Sequence, residues 1–362
     1  MGFYLNPDND GFCQSIRSRI YVDKTGLIAY TNSCINTEQK NVCVSRPRRF
    51  GKSMALIDQK ALEEYTGFTE DEVQALCERY DMDFAGTSSW YDGYMFEKFQ
   101  HIYNPRSVVE AMLCGKCSNY WTSTEVYDAL KIYMDMDFDG LRSDIVHMLG
   151  GGHVTINTRS FRNDMHTFET KDDVLTLLVH LGYLAYNSKK KEAFIPNKEI
   201  IEEFENAMSV SGWPEVMRVL KASEKLLEDT LRGDAQSVAE MLDRAHTEVA
   251  SILTYNDENS LGCGIGLAYY SARKDYKIIR EFPTGKGFAD IVFLPLPHTS
   301  KPALVVELKY DKTVETVLQQ IRDRQYTQAL EGYSGEILLV GISYNKENKD
   351  KPHSCVIQRL VF

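Results

Sequence analysis

Hydrophobic residues in the last third of the chain fall into short runs separated by turn residues, which is the pattern of a sheet. Five runs are predicted as strands: Tyr276–Phe282, Phe288–Leu294, Ala303–Leu308, Glu336–Ser343 and Ser354–Val361. A helical period follows Asn256, and a second one, Val314–Leu330, separates the third strand from the fourth. The order predicts an α/β unit with a boundary near residues 240–255.

Before that boundary the hydrophobic period is mostly helical. Residues 171–208 predict a helix ending at Gly182, a hairpin over Tyr183–Pro196 and a helix over Lys198–Met208. This order is typical of a winged-helix-like element, which serves either DNA binding or packing, and a second helix that is not basic favours packing. Residues 215–256 predict two helices that are separated by Gly233 and Asp234.

The first 60 residues have a different pattern. A short strand at Asn41–Ser45 leads into the basic turn SRPRRFGKS at residues 45–53, and a helix is predicted over Met54–Glu64. We therefore divide the chain into three regions: 1–60, a largely helical 61–245, and 246–362. The fold class is α/β, or α+β across several domains.

Length, composition and charge limit the classes of protein to which the chain can belong. The chain has 362 residues, a net charge of −11 and 43% hydrophobic residues, as expected for a globular protein of two or three domains. No apolar run approaches the roughly 18 residues of a membrane helix. The start lacks the features of a secretory signal, and the eight scattered cysteines suggest reduced thiols, so we expect a cytoplasmic protein.

Three polar residues stand where core strands should be apolar. Asp290 interrupts one strand, and Glu307 and Lys309 end the next with Leu308 between them. Because side chains alternate along a strand, Glu307 and Lys309 share a face. A short loop joins the two strands, so we expect them to be antiparallel neighbours that bring Asp290 beside Glu307. Two such carboxylates suit Mg²⁺, with Lys309 orienting a water or supporting phosphate charge.

A structural interpretation competes with this one, because Glu307 and Lys309 could be the exposed end of a strand. The helix predicted after this strand favours a catalytic role for the segment. It carries a polar, basic face that suits phosphate contacts, formed by Gln320, Arg322, Arg324 and Tyr326. The alternative for this helix is an ordinary amphipathic surface.

The order Asp290, Glu307-Leu-Lys309 and Gln320-x5-Tyr326 resembles the PD-(D/E)xK nuclease superfamily. Three segments more narrowly resemble a bacterial and archaeal family that joins an AAA-ATPase-like domain to such a nuclease. They are Tyr21–Thr25 with residues 45–53, Gly67–Val73 with Trp90–Tyr94 and Tyr103–Pro105, and Asn256–Arg273 continuing through the C-terminal site. The three resembling segments are spread over most of the chain.

The resemblance implies a restriction-endonuclease-like mixed sheet flanked by helices and a hydrolase that cuts nucleic acid, with DNA as the expected partner. It implies a divalent metal, Mg²⁺ or Mn²⁺, held by Asp290 and Glu307, with Lys309 as the catalytic lysine. Glu258 matches the position of a further carboxylate on the first helix, and a homodimer is a further expectation.

The turn at residues 45–53 resembles a P-loop in which Gly51, Lys52 and Ser53 would bind nucleotide phosphates. No later strand ends in the acidic residues that an ATPase needs, and only about a dozen residues separate the turn from Gly67. We therefore expect ATP hydrolysis to be lost. Two alternatives stay open: a nucleotide-binding regulator that uses the P-loop, and a catalytically inactive interaction protein.

Overall fold

The fold is that of a computed structural model, which describes only part of the chain. The described residues are 13–14, 16–34, 67–96, 98–121, 127–136, 138, 140–159, 161, 168–210, 213–249, 258–284, 287–296, 299–310, 335–345, 347–348 and 352–360. They divide into two compact units. The first takes its residues from 1–125, 157–161 and 175–202, and the second from 126–156, 162–174 and 203–362.

Eleven α-helices have described bounds. They are α1 (Gly26–Cys34), α2 (Glu70–Tyr80), α3 (Phe84–Tyr91), α4 (Pro105–Cys114), α5 (Tyr127–Met134), α6 (Leu141–Leu149), α7 (Lys171–Leu181), α8 (Lys198–Val210), α9 (Pro214–Arg232), α10 (Ala235–Val249) and α11 (Glu258–Ala268). None of the helices in the described ranges is long and apolar enough to cross a membrane.

Ten strands have bounds within the described residues. They are β1 (Phe68–Thr69), β2 (Ile102–Tyr103), β3 (Val154–Thr155), β4 (Ala185–Asn187), β5 (Glu192–Phe194), β6 (Tyr276–Thr284), β7 (Gly287–Pro295), β8 (Ala303–Tyr310), β9 (Ile337–Tyr344) and β10 (His353–Leu360). The five predicted C-terminal strands are present, with ends that differ by one or two residues. The strand predicted at 41–45 and the helices predicted at 54–64 and 314–330 lie outside the described residues.

In the first unit, the start of α2 is fixed by reciprocal hydrogen bonds. The Thr69 side chain accepts a bond from the Glu72 amide, and the Glu72 carboxylate accepts one from the Thr69 amide at 2.9 Å. This capping box satisfies two amides that would otherwise lack a helical partner. The Lys24 ammonium donates to both Glu72 oxygens at 2.7 Å. Two segments 48 residues apart are thus joined at one carboxylate.

The loop Trp90–Tyr94 is fixed by contacts with the segment that follows β5. Asn197 Nδ2 donates to the Asp92 carbonyl at 2.7 Å. Gly93 has a φ of +107°, and a Cβ there would lie 2.1 Å from the Pro196 carbonyl oxygen. Only glycine fits this backbone approach.

The predicted helix, hairpin and helix at residues 171–208 are present as α7, β4 with β5, and α8. Ala185 pairs with Phe194 and Asn187 with Glu192 in the antiparallel hairpin. Its turn contains Lys191, at a φ of +59°. The local order of elements was therefore predictable from the hydrophobic pattern.

A mixed five-stranded sheet with the order β10-β9-β8-β7-β6 forms the centre of the second unit. Strands β6, β7 and β8 are antiparallel neighbours, β8 and β9 are parallel, and β9 and β10 are antiparallel. Every residue of β9 is buried, and so is every residue of β8 except Tyr310. The predicted α/β fold class is confirmed.

Helix α11 packs unusually close to its neighbours because glycines line it. A Cβ at Gly262 would lie 2.7 Å from Arg280 Nη2 and 3.5 Å from Leu308 Cδ1, which places this turn of α11 over β6 and β8. A Cβ at Gly266 would lie 2.2 Å from the carbonyl oxygen of Gly150, just after α6. The Gly-rich stretch 262–266 is thus helical and serves close packing.

Histidine and tyrosine rings from α10, β9 and β10 pack against one another in this unit. The His246 ring lies 5.1 Å from the Tyr344 ring and 5.5 Å from the His353 ring, measured between centroids. The amide of His353 donates to Asp243 Oδ1 at 2.9 Å. Burial lowers the pKa of His246 to about 4, and the nearby His353 adds to the lowering while Asp243 opposes it.

We predict that Gly266→Ala destabilises the second unit. The added Cβ meets backbone, which cannot rotate away, so we expect a loss of about 1–3 kcal/mol in the free energy of unfolding. Urea unfolding followed by circular dichroism measures it. Gly233→Asn is the control, since no atom lies within 4 Å of a Cβ there and asparagine tolerates its φ of +82°. Equal stability of Gly266→Ala and wild type would contradict the packing argument.

We also predict that His246 makes folding sensitive to acid. The folded pKa lies below the ordinary value of 6.5, so between about pH 6.5 and 4 the unfolded chain binds a proton that the folded chain does not. Stability is therefore lost as the pH falls through this window. His246→Gln should flatten that part of the melting-temperature profile, whereas His153→Gln, at an exposed histidine, should leave it unchanged. Parallel profiles for wild type and His246→Gln would show that His246 is not responsible.

Candidate active site

The register of β7 and β8 brings Asp290 and Glu307 to neighbouring positions. Ile291 pairs with Val306, Val292 with Val305 and Phe293 with Leu304. The pairing ends at Ile291 and Val306, which are the chain neighbours of Asp290 and Glu307, so the two acidic residues lie next to the end of this ladder.

A main-chain hydrogen bond fixes Asp290 at this place. The amide of Leu308 donates to Asp290 Oδ2 at 2.6 Å, so the aspartate is attached to the middle of the Glu307-Leu-Lys309 segment. Asp290 is half-buried. Because the bond runs to a backbone amide, it holds the carboxylate independently of the side chain at position 308.

Glu307 and Lys309 are enclosed in the sheet. Their exposed fractions are 0% and 5%. Lys309 Nζ lies 3.9 Å from Glu307 Oε2 and donates a 2.7 Å hydrogen bond to the Leu308 carbonyl. The interpretation of this segment as the solvent-exposed end of a strand is therefore wrong.

Strand β9 pairs with β8 on the side away from β7 and so borders Glu307 and Lys309. In the parallel register Glu307 faces Gly341 and Lys309 faces Ser343. Ser343 is 3% exposed, and glycine adds no side chain beside Glu307. Burying a carboxylate and an ammonium costs more free energy than burying apolar groups of similar size, so this pair is not explained by stability alone.

Two carboxylates supply the kind of oxygen donors that suit a hard divalent cation, and the Lys309 ammonium lies beside them. Within the described ranges, no group of three or more His, Cys, Asp or Glu side chains is close enough to hold a metal ion by itself. A cation held by Asp290 and Glu307 would need further oxygens from water, substrate or other residues. The chemistry of the donor set fits such a cation.

The other predicted site residues are only partly described. Glu258 is the first residue of α11, and its side chain lies outside the description. Gly51, Lys52 and Ser53, and also Gln320 and Tyr326, lie outside the described residues altogether. The structure therefore brings together three of the predicted residues: Asp290, Glu307 and Lys309.

The register of β6 and β7 also places the backbone of one acidic residue of β6 beside that of Asp290. Arg280 pairs with Ile291 and Phe282 with Ala289 across β6 and β7. Glu281 stands between these pairs, at the position opposite Asp290. In the sequence Glu281 directly follows Arg280, and its side chain lies outside the description.

Two parts of the chain match models of known families. Residues 264–353, which contain Asp290, Glu307 and Lys309, match the PD-(D/E)XK nuclease superfamily. Residues 14–95, which contain the 45–53 turn, match a family described as "Predicted AAA-ATPase". No curated protein is significantly similar to the chain. The chain therefore joins an AAA-ATPase-like domain at residues 14–95 to a PD-(D/E)XK nuclease superfamily domain at residues 264–353.

Proposed function

We propose that this protein is a metal-dependent nuclease that hydrolyses phosphodiester bonds in DNA. The observation that carries the proposal is the buried Glu307–Lys309 pair beside Asp290, inside the segment that matches the nuclease superfamily. A charged pair with this burial is costly for folding, and a role in catalysis accounts for it.

In this proposal Asp290 and Glu307 hold Mg²⁺ or Mn²⁺, and Glu258 joins them from the start of α11. The cation would neutralise charge on the phosphodiester, activate a water and stabilise the leaving oxygen. Asp290 is kept in place by the Leu308 amide. Lys309 orients the attacking water or supports charge on the phosphate, and its bond to the Leu308 carbonyl directs its ammonium along the same strand.

The substrate and the remaining regions are assigned from the sequence. Gln320 and Tyr326, on a helix predicted between β8 and β9, would contact the phosphate backbone. We assign residues 246–362 to the nuclease domain, 61–245 to a helical accessory region with the winged-helix-like element at 171–208, and 1–60 to a reduced P-loop region. A homodimer stays a prediction.

We propose that ATP hydrolysis has been lost and that the protein works in the cytoplasm. The sequence lacks the acidic strand end that would hold Mg²⁺ and water beside Lys52 and Ser53. The seven described cysteines form no disulfide, which fits a reducing compartment. A nucleotide-binding regulator that uses Gly51, Lys52 and Ser53 is the second candidate, favoured by the match at residues 14–95.

We predict that cleavage of DNA requires a divalent cation, Asp290 and Lys309. Wild type with Mg²⁺ or Mn²⁺ should cut plasmid, linear duplex or single-stranded DNA, and EDTA should stop the reaction. Asp290→Asn removes a cation ligand and Lys309→Ala removes the ammonium, so each should lower the rate about 100-fold or more. Cleavage is measured by gel electrophoresis, with RNA as a parallel substrate.

Matched controls separate chemistry from folding. Glu224→Gln and Lys221→Ala change exposed residues of α9 and should cleave like wild type. Circular dichroism should show all four variants folded. Cleavage that persists in folded Asp290→Asn and Lys309→Ala would reject the assigned site, and no cleavage of any nucleic acid by wild type would reject the nuclease.

We predict that phosphate release from ATP stays at background and is unchanged by Lys52→Ala. Without acidic residues to hold Mg²⁺ and water, the phosphate-binding turn alone cannot assemble the reaction. A coupled phosphate assay on the full chain measures this, with Lys60→Ala as a control outside the P-loop. Lys52-dependent release of phosphate would contradict the prediction and favour the second candidate.

A further inference from the structure

A turn with three consecutive lysines connects β4 to β5 in the winged-helix-like element. We call residues 188–191 the hairpin tip; they are Ser188, Lys189, Lys190 and Lys191. All four residues are exposed. Within the described part of the chain, no carboxylate forms an ion pair with any of the three ammonium groups. The hairpin tip therefore presents three positive charges to solvent.

The backbone of the hairpin tip is held by hydrogen bonds and by the strands beside it. Asn187 Oδ1 accepts the amides of Lys189 and Lys190, each at 3.1 Å. Lys191 has a φ of +59°, in the left-handed region where glycine and asparagine are the usual residues. A turn selected for its backbone alone would favour one of those two residues at this position. The geometry of the turn thus does not explain the third lysine.

The helices on either side of the hairpin are too buried to enter a groove of DNA. Residues 173–178 of α7 are all buried. In α8 the buried side chains include Glu199, Glu203 and Phe204, and the Glu199 carboxylate accepts the Tyr120 amide at 2.9 Å. Packing therefore accounts for both helices, as the sequence favoured, and the hairpin tip is left as the exposed basic part of this element.

Three adjacent ammonium groups suit a partner with closely spaced negative charges. The backbone of DNA carries a phosphate at every nucleotide, and lysine contacts phosphates as a point charge. The chain as a whole has a net charge of −11, so binding to a polyanion requires a local basic surface such as this one. A membrane-binding segment adds apolar side chains that enter the lipid, and residues 188–191 contain none.

We propose that the hairpin tip is a docking surface for the phosphate backbone of duplex DNA. The inference rests on the proposed nuclease function for the identity of this partner. It gives the winged-helix-like element two separate roles, because its helices pack and its turn binds. Contacts of this kind are independent of base sequence, since phosphates carry no sequence information.

Binding of a fluorescein-labelled DNA duplex to the full-length protein in EDTA tests the proposal without cleavage. Lys189→Ala combined with Lys190→Ala removes two phosphate contacts, so the dissociation constant from fluorescence anisotropy should rise about tenfold or more. Lys191→Gly removes the third charge and suits the φ of +59°, so it should also weaken binding. Lys221→Ala combined with Lys225→Ala, the matched loss of two exposed lysines on α9, should bind like wild type.

The dependence of binding on salt is a second readout, which a purely structural role would not move. Each phosphate contact releases counterions, so the logarithm of the affinity falls with the logarithm of the salt concentration, more steeply when there are more contacts. The Lys189 and Lys190 double variant should lower the magnitude of this slope by about 2, and the α9 control should keep it. All variants should melt like wild type, because the changed side chains are exposed.

The outcomes separate this proposal from the one on which it rests. Weaker binding and a smaller salt slope in the hairpin-tip variants alone support it. Wild-type affinity in those variants, or an equal loss in the α9 control, overturns it. A wild-type protein that binds no duplex in EDTA also overturns it, including one that binds anionic lipid vesicles through the hairpin tip instead. If wild type binds DNA through the hairpin tip but cuts no nucleic acid, the nuclease assignment fails and the docking surface stands.

Discussion

The pairing of β8 with β7 on one side and β9 on the other is the constraint on which the candidate site depends. It buries Glu307 and Lys309 in the interior of a sheet and sets Asp290 beside them. A shift of one residue in either register would turn these side chains to the other face. The free energy for the arrangement comes from the apolar residues of the same strands, since the two charges oppose folding.

Glycines in α11 set how closely this helix approaches the sheet and the turn after α6. Gly262 and Gly266 let α11 approach β8 on one side and the Gly150 turn on the other, at distances that side chains would prevent. Glycine packing therefore sets how closely α11 approaches Leu308, the residue between Glu307 and Lys309.

The N-terminal part of the chain shows how an AAA-ATPase-like region keeps local order. Lys24 and the α2 cap meet at Glu72, and the loop around Gly93 is held by Asn197 and Pro196. These contacts join distant segments among the described residues of this unit.

The sequence by itself determined the kind and order of elements, because strand and helix periods are local properties of the chain. Hydrophobic runs predicted the five C-terminal strands, and the short loop after β7 was enough to expect Asp290 beside Glu307. Strand ends were less predictable, since hydrogen-bond pairing carries β6 to Thr284 and β8 to Tyr310 beyond the apolar runs. Only the tertiary structure decided that Glu307 and Lys309 are buried, that the Leu308 amide bonds to Asp290, and that His246 meets His353. Each of these depends on pairing or packing between separate segments, and no local period of hydrophobicity records such a contact.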